Sequence, residues 1–360
     1  MDTTPLEAEW REKQMEEDEI VDENSGELID RPLWHEESMS REELLKMRET
    51  GGEKKEGRIE WNIVLLGALI VVLLIAVLVF MPRKEAEGIG STQLQKPDNN
   101  TRDYWVERSG IIHYRVGEQN YTGEFLYQRE GIVAEKVVYE SRGARIYGLL
   151  LTPKSPHKTA VLLLPGAGVR KEDEKLAWVL AKNNYTVLTI DQRGIGETDG
   201  EVESIDEEYK LFVSGKEPTL HKMVYDAIAA KEVLKKRGHA VIVMGESMGG
   251  RFAIIAGAVD ADFVGVVGIS TSGYEFGESL IGSAETFANS INPDTYVMRI
   301  SPRPFAMFHS SKDRVVPITS AKNTFRKAGE PNAFYEFACD THGYCDEMNE
   351  TLMGWLLLFD

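Results

Sequence analysis

From about Tyr104 to the C-terminus, apolar runs of five to eight residues alternate with stretches of helical period, and Gly, Asn, Asp and Pro mark the changes. Short apolar runs bounded by turn residues read as strands. Eight fit this description: Val133 to Glu140, Arg145 to Leu151, Thr159 to Leu164, Thr186 to Ile190, Ala240 to Met244, Phe263 to Ile269, Pro304 to His309 and Ala333 to Cys339. The first two flank Arg142-Gly143 and predict an antiparallel hairpin. From the third onward helices fit between most strands. The clearest is Thr219 to Arg237, where Leu220, Met223, Val224, Ala227, Ala230 and Leu234 share one face and Gly238 closes the end. The pattern predicts an α/β fold: a mostly parallel eight-stranded sheet with an antiparallel N-terminal hairpin and helices on both faces. No internal repeat is visible.

The first 103 residues follow different rules. Trp61 to Met81 runs 21 residues without a charge, and Asn62 is its only strongly polar side chain. At about 1.5 Å per residue such a helix reaches about 30 Å, the thickness of the hydrocarbon layer. Residues 61–81 therefore predict a transmembrane helix, a single-pass anchor in the lipid bilayer. Sixty residues precede it, which disfavours a cleaved signal peptide. Lys46, Arg48, Lys54, Lys55 and Arg58 lie before the span, against Arg83, Lys84 and Lys96 after it. That bias predicts a cytoplasmic N-terminus and an extracytoplasmic remainder.

Charge separates the regions further. The net charge is -18, and residues 1–60 hold 20 acidic against 9 basic side chains, so -11 of it lies there. Residues 1–60 read as an acidic, disordered cytoplasmic tail, and Ser40-Arg-Glu-Glu43 ahead of Leu44 has the spacing of a capped helix for a protein partner. Residues 82–103 read as a linker, leaving 104–360 as the folded α/β domain. No basic stripe exists, so nucleic acid is excluded as a ligand.

Chemistry enters at Gly245-Glu246-Ser247-Met248-Gly249-Gly250, which joins the strand ending at Met244 to a helix-like stretch from Arg251. A serine at the apex of so tight a turn stands above the sheet edge, near the positive end of the helix that follows. Serine is a weak nucleophile near neutral pH and needs a base, which in turn needs an orienting acid. Only His309 and His342 follow Ser247, and His342 sits in a turn beyond the last strand. Asp313 falls just after the strand Pro304 to His309. The amide of Met248 and that of Ala167, in the glycine-flanked loop after the third strand, are the candidate oxyanion donors.

These motifs, together with Asp191-Gln-Arg193-Gly194-Ile-Gly196-Glu-Thr198 after the fourth strand, make residues 130–360 resemble the α/β-hydrolase superfamily. The resemblance implies that fold with a short cap, Ser247 as nucleophile, His342 as base and Asp313 as its orienter. Pro165 departs from the pattern, standing where a His is often found.

Only 34 residues, Ser270 to Arg303, separate the sixth and seventh strands. There Tyr274, Phe276, Leu280, Ile281 and Phe287 either line an acyl pocket or pack a short helix. The acidic loop Glu197 to Glu208 reads as solvated surface, with attraction of a cationic substrate as the alternative. Cys339 and Cys345 flank His342 and are able to pair if the domain lies outside the cytoplasm, while a buried free thiol at Cys339 fits the sequence equally well. Two Cys and one His in so short a loop lack a fourth ligand, so no metal is expected, and no cofactor is implied. The expected activity is cleavage of an ester or thioester in a small acyl substrate. A small peptidase acting on short peptides, or an acyltransferase, fits the same residues. A catalytically silent scaffold on the same fold is the alternative of another class.

Overall fold

The computed structural model describes residues 20–21, 28–29, 103–276 and 280–360. The chain divides into two compact units, Met1–Lys96 and Pro97–Asp360. In the first, β1 (Ile20–Val21) pairs antiparallel with β2 (Leu28–Ile29). The apolar run 61–81 lies outside the described residues, as do most of the tail and linker. Among the described residues no helix is long and apolar enough to cross a membrane.

The second unit opens with a two-stranded antiparallel ribbon, β3 (Tyr104–Val106) and β4 (Ile112–Tyr114). It continues through β5 (Tyr121–Arg129), β6 (Ile132–Ser141), β7 (Ala144–Pro153), β8 (Thr159–Leu164), α1 (Lys175–Lys182) and β9 (Thr186–Ile190). Then come α2 (Ile205–Val213), α3 (Thr219–Lys236), β10 (Ala240–Glu246), α4 (Ser247–Val259) and β11 (Phe263–Ile269). The remainder is α5 (Ser283–Ile291), α6 (Pro293–Tyr296), β12 (Phe305–Ser310), α7 (Ile318–Phe325), β13 (Asn332–Phe337) and α8 (Asn349–Leu356).

Strands β5 to β13 form one nine-stranded sheet in the order β13-β12-β11-β10-β8-β9-β7-β6-β5. The six strands from β8 onward run parallel, and β7 is antiparallel to both β6 and β9. This is the α/β-hydrolase fold. Nine strands stand where the pattern predicts eight, and β5 is the addition. Its residues are almost all exposed, with Phe125 64% accessible, so it belongs to the sheet by backbone pairing with β6 and not by burial. An edge strand with no buried face leaves no alternation to read.

The central strands bury both faces, and their side chains alternate between two cores. Leu162, Leu164, Val241, Val243 and Val266 join the core beneath α3 and α4. Val161, Leu163, Ile242, Met244 and Val267 join the core beneath α1 and α8. Each fully buried Leu, Ile or Val contributes about 1.5–3 kcal/mol relative to exposure, so these strands set the register of the sheet. That register brings the C-terminal ends of β8, β10, β11, β12 and β13 to one edge.

Candidate active site

Ser247 sits where β10 becomes α4, and its φ of +50° is left-handed, which costs a non-glycine residue of order 1–3 kcal/mol. The surroundings enforce it. A Cβ on Gly245 would lie 2.3 Å from the Gly249 carbonyl oxygen, and one on Gly249 would lie 2.1 Å from that of Leu164. Both contacts are with backbone, so only glycine lets strand, helix and neighbouring loop meet here. Thr271, just past β11, donates its hydroxyl to the Ser247 carbonyl at 2.7 Å and ties the turn from a third side.

The loop after β8 lies against this turn. A Cβ on Gly166 would fall 3.6 Å from the Ser247 Cβ. Gln192 donates its side-chain amide to the Pro165 carbonyl and so holds the loop from the end of β9. Ala167 follows Gly166, and Met248 stands in the first turn of α4, where amides have no partner within the helix. Pro165 thus serves through its carbonyl.

Asp313 and His342 occupy the loops after β12 and β13. The His342 ring donates from Nδ1 to Asp313 Oδ2 at 2.9 Å, with Oδ1 at 3.1 Å. Asp313 Oδ1 also accepts from the Val315 and Val316 amides at 2.9 and 3.0 Å. Burial works to raise this carboxyl, but the His342 bond and the two amides outweigh it and hold it below the usual aspartate range. With Nδ1 bonded to a carboxylate, Nε2 is left as the proton acceptor, the tautomer a base needs. His309 is buried, donates from Nε2 to the Val316 carbonyl at 2.8 Å and lies 3.7 Å from Asp313. It props the acid loop.

The His342 turn is closed by a disulfide between Cys339 and Cys345. Ser310 donates to the Cys339 carbonyl, Ser270 donates to that of Gly343 at 3.3 Å, and the Tyr344 amide donates to Glu246 Oε2 at 3.3 Å. The last two contacts come from the ends of β11 and β10, so the histidine turn rests on the elbow itself. Sequence reasoning missed Thr271, Glu246 and Ser270. The one available signal was an ionisable residue, Glu246, closing an otherwise apolar strand.

The other charged loops are structural. Arg193 grips Asp226 through two bonds of 2.8 and 2.9 Å, both side chains buried, and Lys171 is buried against Asp191 at 2.7 Å. Glu197 pairs with Lys136 and Lys171, and Glu208 is buried, accepting from the Leu220 amide at the start of α3. The Glu197 to Glu208 loop is therefore not wholly solvated surface.

In the cap, Tyr274, Phe276 and Leu280 line a cavity of about 730 Å³ together with Thr324, Arg326 and Lys327. Ile281 is 82% exposed, and Phe287 packs on Tyr209 and Phe212 instead. Arg251, one turn beyond Ser247, lies 4.0 Å above the Tyr274 ring and connects the cap to α4. Among the described residues the one grouping with metal-ligand types is Cys339, Cys345 and Glu347, whose thiols are joined in the disulfide.

Residues 155–297, from just before β8 through the elbow and cap, match the family model described as serine aminopeptidase, S33. No curated protein matches the chain. Among solved structures, acetyl xylan esterase 1 from Thermoanaerobacterium sp. JW/SL YS485 superposes with a TM-score of 0.57 at 16% identity, over 68% of this chain and 89% of that one. Acetyl xylan esterase from Paenibacillus sp. R4 gives 0.58 at 18% identity, over 68% and 90%. At such identities the likeness is one of fold, and the family match adds the class of chemistry. The chain has the α/β-hydrolase fold and is a serine hydrolase.

Proposed function

We propose that this serine hydrolase is membrane-anchored and cleaves a carboxylic ester or thioester through an acyl-enzyme. The observation that carries the reading is the hydrogen-bonded Asp313–His342 pair, on a turn that rests against the strained Ser247 elbow. Ser247 Oγ attacks the carbonyl carbon while its proton passes to His342 Nε2. Asp313 stabilises the imidazolium that forms, and the Ala167 and Met248 amides receive the oxyanion, each worth about 10² to 10³ in rate. Collapse expels the alcohol or thiol, which takes the proton from His342. Water, activated by the same ring, then releases the acid.

Wild type and Ser247→Ala, offered a fluorophosphonate and a series of p-nitrophenyl esters, test this reading. Equal labelling of the two would refute it. The S33 match favours a second reading, an aminopeptidase, and faster turnover of aminoacyl amides than of esters would select it.

Residues 61–81 supply the proposed anchor, with 82–103 as linker. The acidic residues 1–60 then face the cytoplasm as a segment for a protein partner. The Cys339–Cys345 disulfide supports an extracytoplasmic catalytic domain, because such bonds persist in oxidising compartments. Protease digestion of the catalytic domain only in opened vesicles would overturn that topology.

A further inference from the structure

Glu246 closes β10 one residue before the elbow serine. Its Oε2 accepts from the Tyr344 amide at 3.3 Å, two residues beyond His342. Between them Gly343 has φ +92°, and a Cβ there would come within 2.6 Å of the same oxygen. The turn therefore crosses directly over this carboxyl, and only glycine passes. Ser270 holds the Gly343 carbonyl from the adjacent strand, so two side chains carry the turn from below.

The other oxygen, Oε1, is buried and has no hydrogen-bond partner. A second carboxyl, Glu174, stands close enough to act on it and is itself buried, capping α1 by accepting from the Leu176 amide at 3.1 Å. A carboxylate in such a place would carry charge without a cation, beside another acid, which is the costly arrangement. A neutral carboxyl still accepts the Tyr344 bond through its carbonyl oxygen. Burial first and Glu174 second push the Glu246 carboxyl up to about 8.

We infer that Glu246 is a positioning residue, holding the His342–Tyr344 turn on the elbow through the Tyr344 amide, and that it does so as the neutral acid. The inference rests on His342 being the base. The titratable groups around Glu246 are Glu174, ahead of α1, and His342 and Tyr344 on the turn, with Asp346 and Glu347 acting on that tyrosine. Glu174, Tyr344, Asp346 and Glu347 are all acids and supply no positive charge. Ionising Glu246 therefore sets it against Glu174 and loosens the turn.

The test uses the full 360-residue chain, p-nitrophenyl acetate hydrolysis and fluorophosphonate labelling from pH 6 to 9.5. Wild type should lose rate above about pH 8. Glu246→Ala should lose about tenfold to a hundredfold in kcat at pH 7 with KM little changed, since the base is displaced and the pocket is not. Glu246→Gln, which keeps the acceptor and cannot ionise, should recover most of that loss and show no alkaline fall. A wild-type rate flat to pH 9.5, a Glu246→Ala enzyme as fast as wild type, or a Glu246→Gln enzyme that keeps the alkaline fall would each overturn the inference. Should Glu246→Ala fail to fold, the profile of Glu246→Gln decides alone. His342→Ala is the separate control: if it is as active as wild type, the base assignment itself fails and this inference with it.

Discussion

Replacing Asp313 with Asn tests the proposed site most sharply, because the structure dictates which way the new side chain must face. Asp313 Oδ1 accepts two backbone amides, Val315 at 2.9 Å and Val316 at 3.0 Å, which have nothing to offer but N–H. An asparagine at this position must turn its carbonyl oxygen toward them. Its NH2 then falls at the Oδ2 position, 2.9 Å from His342 Nδ1. Two donors cannot share that contact, so His342 must shift its proton to Nε2. The ring stays in place but presents a donor to Ser247 where an acceptor is needed. The wrong tautomer in an otherwise intact serine triad costs about 10⁴ in kcat, or about 5.5 kcal/mol of transition-state stabilisation. The loss should appear in the pre-steady-state release of p-nitrophenol and in the fluorophosphonate labelling rate, with far-UV circular dichroism unchanged. Asp313→Asn within tenfold of wild type would refute the assignment of Asp313 as orienter. Stability carries a second signature. The folded carboxyl lies below its unfolded value, so its contribution is present above the unfolded pKa and is lost as pH falls through the folded one. The melting deficit of the variant should therefore shrink below about pH 4.

Gly249→Ala puts a Cβ 2.1 Å from the Leu164 carbonyl oxygen and 2.4 Å from that of Pro165, and should cost about 1–3 kcal/mol while abolishing labelling. Gly354→Ala, with nothing within 4 Å of the new atom, should leave melting unchanged or raise it; equal losses in the two would sink the steric account. Replacing Cys339 and Cys345 together by Ser should remove about 2 kcal/mol, the loop-closure value for so short a ring, and should slow p-nitrophenyl acetate hydrolysis more than it raises KM. A double variant with wild-type melting would refute it. His221 is buried with Tyr104 on Nδ1 at 2.6 Å and Ser290 on Nε2 at 2.7 Å, and burial pushes it down to about 3. The native state excludes a proton that the unfolded chain binds, so stability should be complete above about pH 6.5 and fall toward pH 3. His221→Gln should flatten that slope in thermal melts between pH 7 and pH 4, and an unchanged slope would show that other groups cause it.

How much of this was legible in the chain follows from where each energy comes from. Strands β8, β9 and β11 have the limits that their apolar runs predict, because both faces are buried and any slip would expose side chains. Strand β5 offered no such signal, since its place depends on hydrogen bonds to β6 that any sequence can make. Phe287 and Ile281 share one short stretch of apolar character, yet one is 4% and the other 82% exposed. Nothing local separates them; the aromatic rings of α2 do, from some 75 residues away along the chain.

The candidate site divides along the same line. A tight turn between strand and helix is a local object, and its glycines announce it. The order of acid and histidine is equally visible, because each follows a strand whose pattern is clear. What holds these groups in register is not local. Asp313 is fixed by amides two and three residues on, but His342 depends on Glu246 and Ser270, 96 and 72 residues earlier. Such contacts come into being only when parallel strands align their ends, here β10, β11, β12 and β13. The same alignment gives those side chains a common consequence. Glu246 could be read as one polar residue in a five-residue turn; in the folded sheet it lies beneath the turn that carries the histidine. The proposed nucleophile and base thus share a support at the tip of β10, so a change at that tip should move His342 before it moves the strand.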